Sequence, residues 1–184
     1  MTLLIDVGTN GEIVLGNADW MACASSSAGI AFEGTRFGMR GVLGAIERIH
    51  ADDAGVLQLS VIGDVKPRGI CGSGVLDLIA ELFRIGVLKR DGKFETEHPC
   101  PSLRRGEDEW EFVVAGPDQA DQGRAIYMTQ SEINNIIRSK AGVAAAITIL
   151  LNLFEVGSAD LEAVQIAGSF GNFIDIGHAV RIGL

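Results

Sequence analysis

What this chain has little of narrows it first. Three cysteines, Cys23, Cys71 and Cys100, stand far apart among 184 residues. No C-x-x-C pair is present of the kind that holds zinc, an iron–sulfur cluster or a redox dithiol. Reduced thiols in a cytoplasmic setting are the simple reading. The three histidines, His50, His98 and His178, lack the i,i+4 or short-loop spacing of metal ligands, so no metal site built on them is expected. Positive charge is scarce as well: 15 Lys and Arg against 24 Asp and Glu give a net charge of −9. That argues against nucleic acid, because a polyanion binder needs a basic face that displaces counterions. The basic residues come in small groups, Lys66 and Arg68, Lys89 and Arg90, Arg104 and Arg105, and read as solvated surface. Long apolar runs are missing too. The longest, AGVAAAITILLNLF at 141–154, falls short of the roughly 18–20 residues that cross a bilayer; it reads as a buried core helix, with no membrane partner expected. Nor does a basic n-region followed by an apolar h-region open the chain, so no secretory signal is read.

What is present is an ordinary globular composition, 47% hydrophobic and 21% charged, enough to bury a core and expected as a single domain over 1–184. Leu3–Val7 and Glu12–Leu15 flank a polar turn with two glycines, which supply the positive φ that hairpin turns favour. WMACASS can add a third strand. AIERIHA and VLQLSVIG around Asp52–Gly55 read as a second hairpin. In GICGSGVLDLIAELFRIG the period changes: Val75, Leu76, Leu78, Ile79, Leu82 and Phe83 share a helical face, and Gly86 is a stop. Residues from about 88 to 125 form a polar, loop-rich excursion with one short strand candidate, EFVVA. Thr129-Gln-Ser-Glu132 matches a capping box opening a helix to about Phe154. EAVQIAG reads as a short buried strand, GSFGN as a glycine turn and IDIGHAVRIG as a last short helix.

Three glycine-containing segments are candidates for chemistry. Asp6, Gly8, Thr9, Asn10 and Gly11 lie at the tip of the first apolar hairpin. Glycines let backbone amides approach an anion, a threonine adds a hydroxyl, and a strand-end carboxylate can hold Mg²⁺ through water. The competing reading makes Asn10-Gly11 a favourable type I′ turn and Asp6 a turn former. Gly69-Ile-Cys-Gly72-Ser73-Gly74 lies before a helix, where a phosphate or ribose hydroxyl could dock; alternatively Ser73 caps the helix and the glycines allow close packing. In Gly168-Ser169-Phe170-Gly171-Asn172 a nucleotide base could lie on the bare backbone, but so could a neighbouring strand. Cys71 at a helix start could be a nucleophile or a packed thiol. Glu33 and Glu47 fall in an irregular glycine-containing stretch and receive no role.

DVGTNGEIVLGN, CASSSAGIAFEGTRFGMRGVLGAIE, GICGSGVLDLIAEL, MTQSEINNIIRSKAGVAAAITILL and IAGSFGNFIDIGHAVRIGL occur in this order. Together they resemble the C-terminal portion of the reductive activators of corrinoid proteins, in the superfamily of acetate and sugar kinases, Hsp70 and actin. The resemblance implies an α/β fold: a ribonuclease-H-like half of that architecture, a mixed sheet flanked by helices. It makes Asp6 to Asn10 the second phosphate hairpin, with Asp6 the candidate for holding Mg²⁺ or orienting water and Glu12 second to it. Gly168 to Asn172 becomes the adenosine motif. ATP and Mg²⁺ are the implied cofactors, and ATP binding and hydrolysis would be coupled to reducing a Co(II) corrinoid to Co(I). The implied partner is a corrinoid protein or corrinoid-dependent methyltransferase. Two family features are absent from these residues: the cysteine array of an iron–sulfur cluster, and a first Asp-Gly-Thr-Thr hairpin. A fragment of a longer protein is therefore expected, one that binds ATP without turning it over. The alternative is a non-catalytic docking or dimerisation module of the same fold, associating as a homodimer through a face left bare.

Overall fold

The computed structural model describes residues 1–8, 10–27, 35–171 and 173–183. In chain order its strands are β1 (Thr2–Val7), β2 (Asn10–Gly16), β3 (Met21–Ser27), β4 (Ala45–Ala51), β5 (Leu57–Val61), β6 (Gly69–Ile70), β7 (Leu103–Arg105), β8 (Trp110–Ala115), β9 (Ile126–Thr129) and β10 (Ala163–Ala167). The helices are α1 (Gly72–Arg84), α2 (Gln130–Leu153), α3 (Gly168–Gly171) and α4 (Ile176–Ile182). Two compact units make up the structure. One comprises Met1–Ile30 with Arg138–Ile174, the other Ala31–Ile137 with Asp175–Gly183.

The first unit is built on a mixed sheet in the order β10-β1-β2-β3. Strands β1, β2 and β3 run antiparallel as a meander, and β10 lies parallel to β1 on its other side. Alternation along the strands decides the faces. Leu3, Ile5 and Val7 of β1 and Ile13 and Leu15 of β2 are buried, packed with Val143 and Leu150 of α2. The side chains between them, Thr2, Leu4 and Asp6, fall on the opposite face. Trp20 stacks on Phe154, with ring centroids 4.7 Å apart. Two expectations change here. Asn10 and Gly11 are strand residues, Gly11 pairing with Val7, so the polar tip is not an Asn-Gly turn. Strand β10 is not buried: it lies at the sheet edge with Val164 56% exposed.

In the second unit, β5-β4-β6 form a small sheet, β4 antiparallel to β5 and parallel to the two-residue β6. β6 went unnoticed in the sequence because so short a strand has no period. Glu47, expected in an irregular stretch, is a half-buried residue of β4. The excursion after Leu88 contains a complete antiparallel sheet, β7-β8-β9, instead of loop with one strand. β7 and β9 are too short for an alternation to show, and β8 carries a buried acid, Glu111, among its apolar residues.

Helix α1 buries every residue from Ser73 to Leu82, including Asp77 and Glu81. These two acids are one turn apart and are met from several sides. Asp77 accepts from the Ile49 N–H (3.2 Å) and lies 2.7 Å from His178 Nδ1. Glu81 accepts from the Ala51 N–H (2.8 Å) and Arg84 (2.9 Å), and lies 3.2 Å from His178 Nε2 and 3.4 Å from Arg181. α4 is thus held against α1 by charge at its centre, and begins at Asp175, whose carboxylate accepts the His178 N–H.

The capping box is present as expected: the Glu132 N–H donates to Thr129 Oγ1 (3.2 Å) and the Thr129 N–H to Glu132 Oε2 (2.9 Å). The helix it opens ends at Leu153, as expected, but it is not the buried core helix read from its apolar run. At 24 residues, with an 18-residue window of mean hydropathy 1.5, α2 is long and apolar enough to cross a membrane by length and composition, and 17% of that window is buried. It is a one-faced helix: Val143 and Leu150 are buried, while Ile149 and Leu153 are 66% and 71% exposed.

Candidate functional site

Asp6 is the last outward-facing residue of β1. It lies opposite Glu12 across the antiparallel pair and opposite Ala167 across the parallel one. Because β1 and β10 run parallel, their carboxyl ends share one edge of the sheet. The polar turn after β1 and the glycine turn after β10 emerge together there. Outside the carboxyl ends of parallel strands is where open α/β sheets bind their ligands.

The two turns touch through Asp6 and Gly168, residues at opposite ends of the chain. Gly168 has a φ of +84°, in the left-handed region, and a Cβ built on it would stand 2.3 Å from Asp6 Oδ1 and 3.3 Å from Asp6 Cγ. The half-buried carboxylate therefore rests against a bare Cα. Among the described backbone and side chains, those of Ser169 and Phe170 not being among them, no group pairs with it. Glu12, its cross-strand neighbour on the same face, is exposed and acidic. Like charges facing one another across strands are destabilising, and a cation offsets that. The turn also departs from the amide-donor expectation: the Gly8 N–H donates to the Asn10 carbonyl at 2.8 Å. Around Gly8 itself there is room, since an added Cβ would meet nothing nearer than Asn10 O at 3.8 Å.

Gly72 and Ser73 belong to the second unit. Ser73 does not cap α1: it is buried, and its hydroxyl donates to the Glu47 carbonyl at 2.9 Å. The N-cap position is Cys71, whose side chain makes no capping bond. Its thiol is packed, 3.4 Å from the Ile46 carbonyl and 3.3 Å from Ser73 Oγ. Gly74 allows close packing, because a Cβ there would stand 2.4 Å from the Ile46 carbonyl oxygen. In the last motif, Gly168 to Gly171 form the one-turn helix α3, and Gly171 packs on β10, where a Cβ would come within 2.8 Å of the Ile166 side chain. The backbone of Ser169 and Phe170 runs through α3. Thr9, Glu33 and Asn172 lie outside the described residues.

No group of three or more His, Cys, Asp or Glu side chains able to hold a metal gathers among the described residues. The donor set at Asp6 fits a different kind of site. Mg²⁺ is commonly held by one or two carboxylates and completed by water and the phosphates of its nucleotide. One unpaired strand-end carboxylate with a glycine-cleared space beside it meets that requirement.

Known proteins supply the wider context. A curated relative, the corrinoid activation enzyme RamQ of Eubacterium limosum, is 40% identical over 196 residues, covering 100% of this chain and 32% of that protein. The [Co(II) methylated amine-specific corrinoid protein] reductase of Methanosarcina barkeri is 26% identical, covering 99% of this chain and 34% of its own length. The chain thus spans about a third of the curated relatives it matches. A solved structure of a reductive activator for corrinoid, iron–sulfur protein superposes with a TM-score of 0.91 at 41% identity, over 97% of this chain and 29% of that one. The family model described as the C-terminal domain of RACo, the ASKHA domain, matches residues 1–184, and the chain belongs to that family.

Proposed function

We propose that this chain is the ATP-binding domain of an ATP-dependent reductive activator of corrinoid proteins, coupling nucleotide binding and hydrolysis to the reduction of Co(II) corrinoid to Co(I). The observation that carries the reading is the Asp6 carboxylate, unpaired among the described residues and set against Gly168 at the carboxyl ends of β1 and β10. Asp6 would hold Mg²⁺, with Glu12 beside it, and the ion bound with ATP would supply neutralisation of phosphate charge. Gly8 leaves the turn open to the phosphates, and the backbone that follows Gly168 receives the adenosine. The electrons come from an iron–sulfur cluster outside these residues, and the partner is a corrinoid protein or its methyltransferase. Bound nucleotide shifts a conformational equilibrium that presents the corrinoid for reduction.

Calorimetric titration of the purified chain with Mg²⁺–ATP tests this. Binding is expected, and Asp6→Ala should weaken it about tenfold or more while circular dichroism stays unchanged. Equal affinity in the two proteins would remove Asp6 from the site. Phosphate release by the isolated chain should be negligible, because a second phosphate hairpin is needed to supply opposed donors worth about 10²–10³ in rate each.

One observation favours the reading as a docking or dimerisation module: the exposed apolar face of α2 with Ile149 and Leu153. A well-folded chain that ignores Mg²⁺–ATP and sediments as a dimer would select it.

A further inference from the structure

Gly168 was read as a place where nucleotide approaches bare backbone, but its nearest neighbour is protein. Of the atoms a Cβ at this position would meet, the closest two belong to the carboxyl group of Asp6, at 2.3 and 3.3 Å, and the third is the Val7 carbonyl oxygen at 3.7 Å. We propose that Gly168 is a positioning residue for Asp6: by having no side chain, it leaves the space in which the Asp6 carboxylate is held for Mg²⁺. The proposal rests on the reading of Asp6 as the carboxylate of a Mg²⁺–nucleotide site.

Three features carry it. The parallel register seats Ala167 directly beside Asp6, so the residue after β10 turns across the end of the acid's side chain. The left-handed φ of +84° makes that turn, and it is a conformation L-residues rarely adopt. Finally, the group in the way is the far end of a short, rotatable side chain. A methyl at 168 would not be resisted by the sheet; it would rotate the carboxylate off its position. The predicted lesion is a displaced ligand in a folded protein, which differs from a base or ribose blocked by a new side chain.

The two roles separate in a double-mutant cycle of Gly168→Ala and Asp6→Ala, read in two ways. Thermal melts without nucleotide report the contact. Gly168→Ala should lower Tm clearly more with Asp6 present than in the Asp6→Ala background, because backbone strain at φ +84° is common to both and cancels. Calorimetry reports the role. Gly168→Ala should cost about tenfold or more in Mg²⁺–ATP affinity, as displaced support of a metal ligand does, with ATP in excess chelator unaffected and little further loss when Asp6 is already alanine. Gly168→Asn, whose side chain tolerates left-handed backbone, serves as the second variant and should show the same pattern. Additive effects on Tm overturn the proposal. So does an equal loss for ATP with and without Mg²⁺, which would make Gly168 a direct nucleotide contact. If the wild-type chain binds no Mg²⁺–ATP, the nucleotide reading of the site fails, and the Tm cycle alone decides whether Gly168 sets Asp6.

Discussion

Helices α1 and α2 reverse the order that their longest apolar stretches suggest. α2 is the longer and contains the apolar window, yet it buries one face only and exposes Ile149 and Leu153. α1 carries Asp77 and Glu81 in its middle, and it is α1 that is buried from Ser73 through Leu82. Hydropathy measures what a helix would gain by burial, whereas burial is decided by what surrounds it. Two carboxylates can enter a core when backbone N–H groups and cationic side chains converge on them. Around α1 they do: Ile49 and Ala51 give N–H donors, and Arg48, His50, Arg84, His178 and Arg181 bring cationic or protonatable groups.

The largest effect should come from breaking that cluster. Glu81→Ala leaves Arg84, Arg181 and the histidines facing an empty site and should cost about 3–5 kcal/mol, measured by urea unfolding. Its pH dependence sharpens the point. Burial alone would push the Glu81 carboxyl up, but the Arg84 hydrogen bond, the Ala51 N–H and the charges of Arg84 and His50 outweigh it and hold the group below the usual glutamate range. A carboxyl held low in the folded state contributes stability that is present above its unfolded pKa and lost as pH falls through the folded one. Below about pH 4, wild-type Tm should therefore drop further than that of Glu81→Gln. Asp175, held low first by the His178 N–H, should leave a residual acid sensitivity in both.

Next in size is the buried face of α2. Leu150→Ala should cost about 2–4 kcal/mol in the same denaturant assay, because Leu150 is 4% exposed within the core of the first unit. Thr129→Ala removes one half of the capping box and should cost about 1 kcal/mol. The smallest effect is expected on the outer face: Ile149→Ser should change stability by no more than about 0.5 kcal/mol. A large loss that grows with protein concentration would show that this face is covered by a second copy, and sedimentation velocity would reveal the dimer.

The sequence made some of this readable and concealed the rest for physical reasons. The strands of the first sheet and the hairpin β4–β5 announce themselves through alternation, and Thr129 with Glu132 marks a helix start through chemistry local to four residues. The mixed sheet expected from the family resemblance is present, with β10 parallel to β1. Strands β6, β7 and β9 stayed hidden, being too short for any period to develop. The acids of α1 were legible only as two polar interruptions of an apolar face; their partners lie on β4 and α4, far away in sequence. For the same reason no local motif could pair Asp6 with Gly168. Ser73 looked like a cap because serine before a helix often is one, but its hydroxyl donates instead to an available backbone carbonyl, that of Glu47.

The way β1 finds β10 also bears on how the protein is made. Thr2 pairs with Ala163 and Asp6 with Ala167, so the sheet that supports the candidate site joins stretches that are synthesised far apart in time. Residues 31–137, which make up most of the other unit, emerge in between and can begin to collapse while β1 still waits for its neighbour. Closing so long a loop is slow, and until it closes β1 presents an unpaired edge of the kind that invites pairing with other chains. A nascent chain stalled anywhere between β1 and Ala163 would have no site, and would depend on chaperones to keep that edge apart from its neighbours.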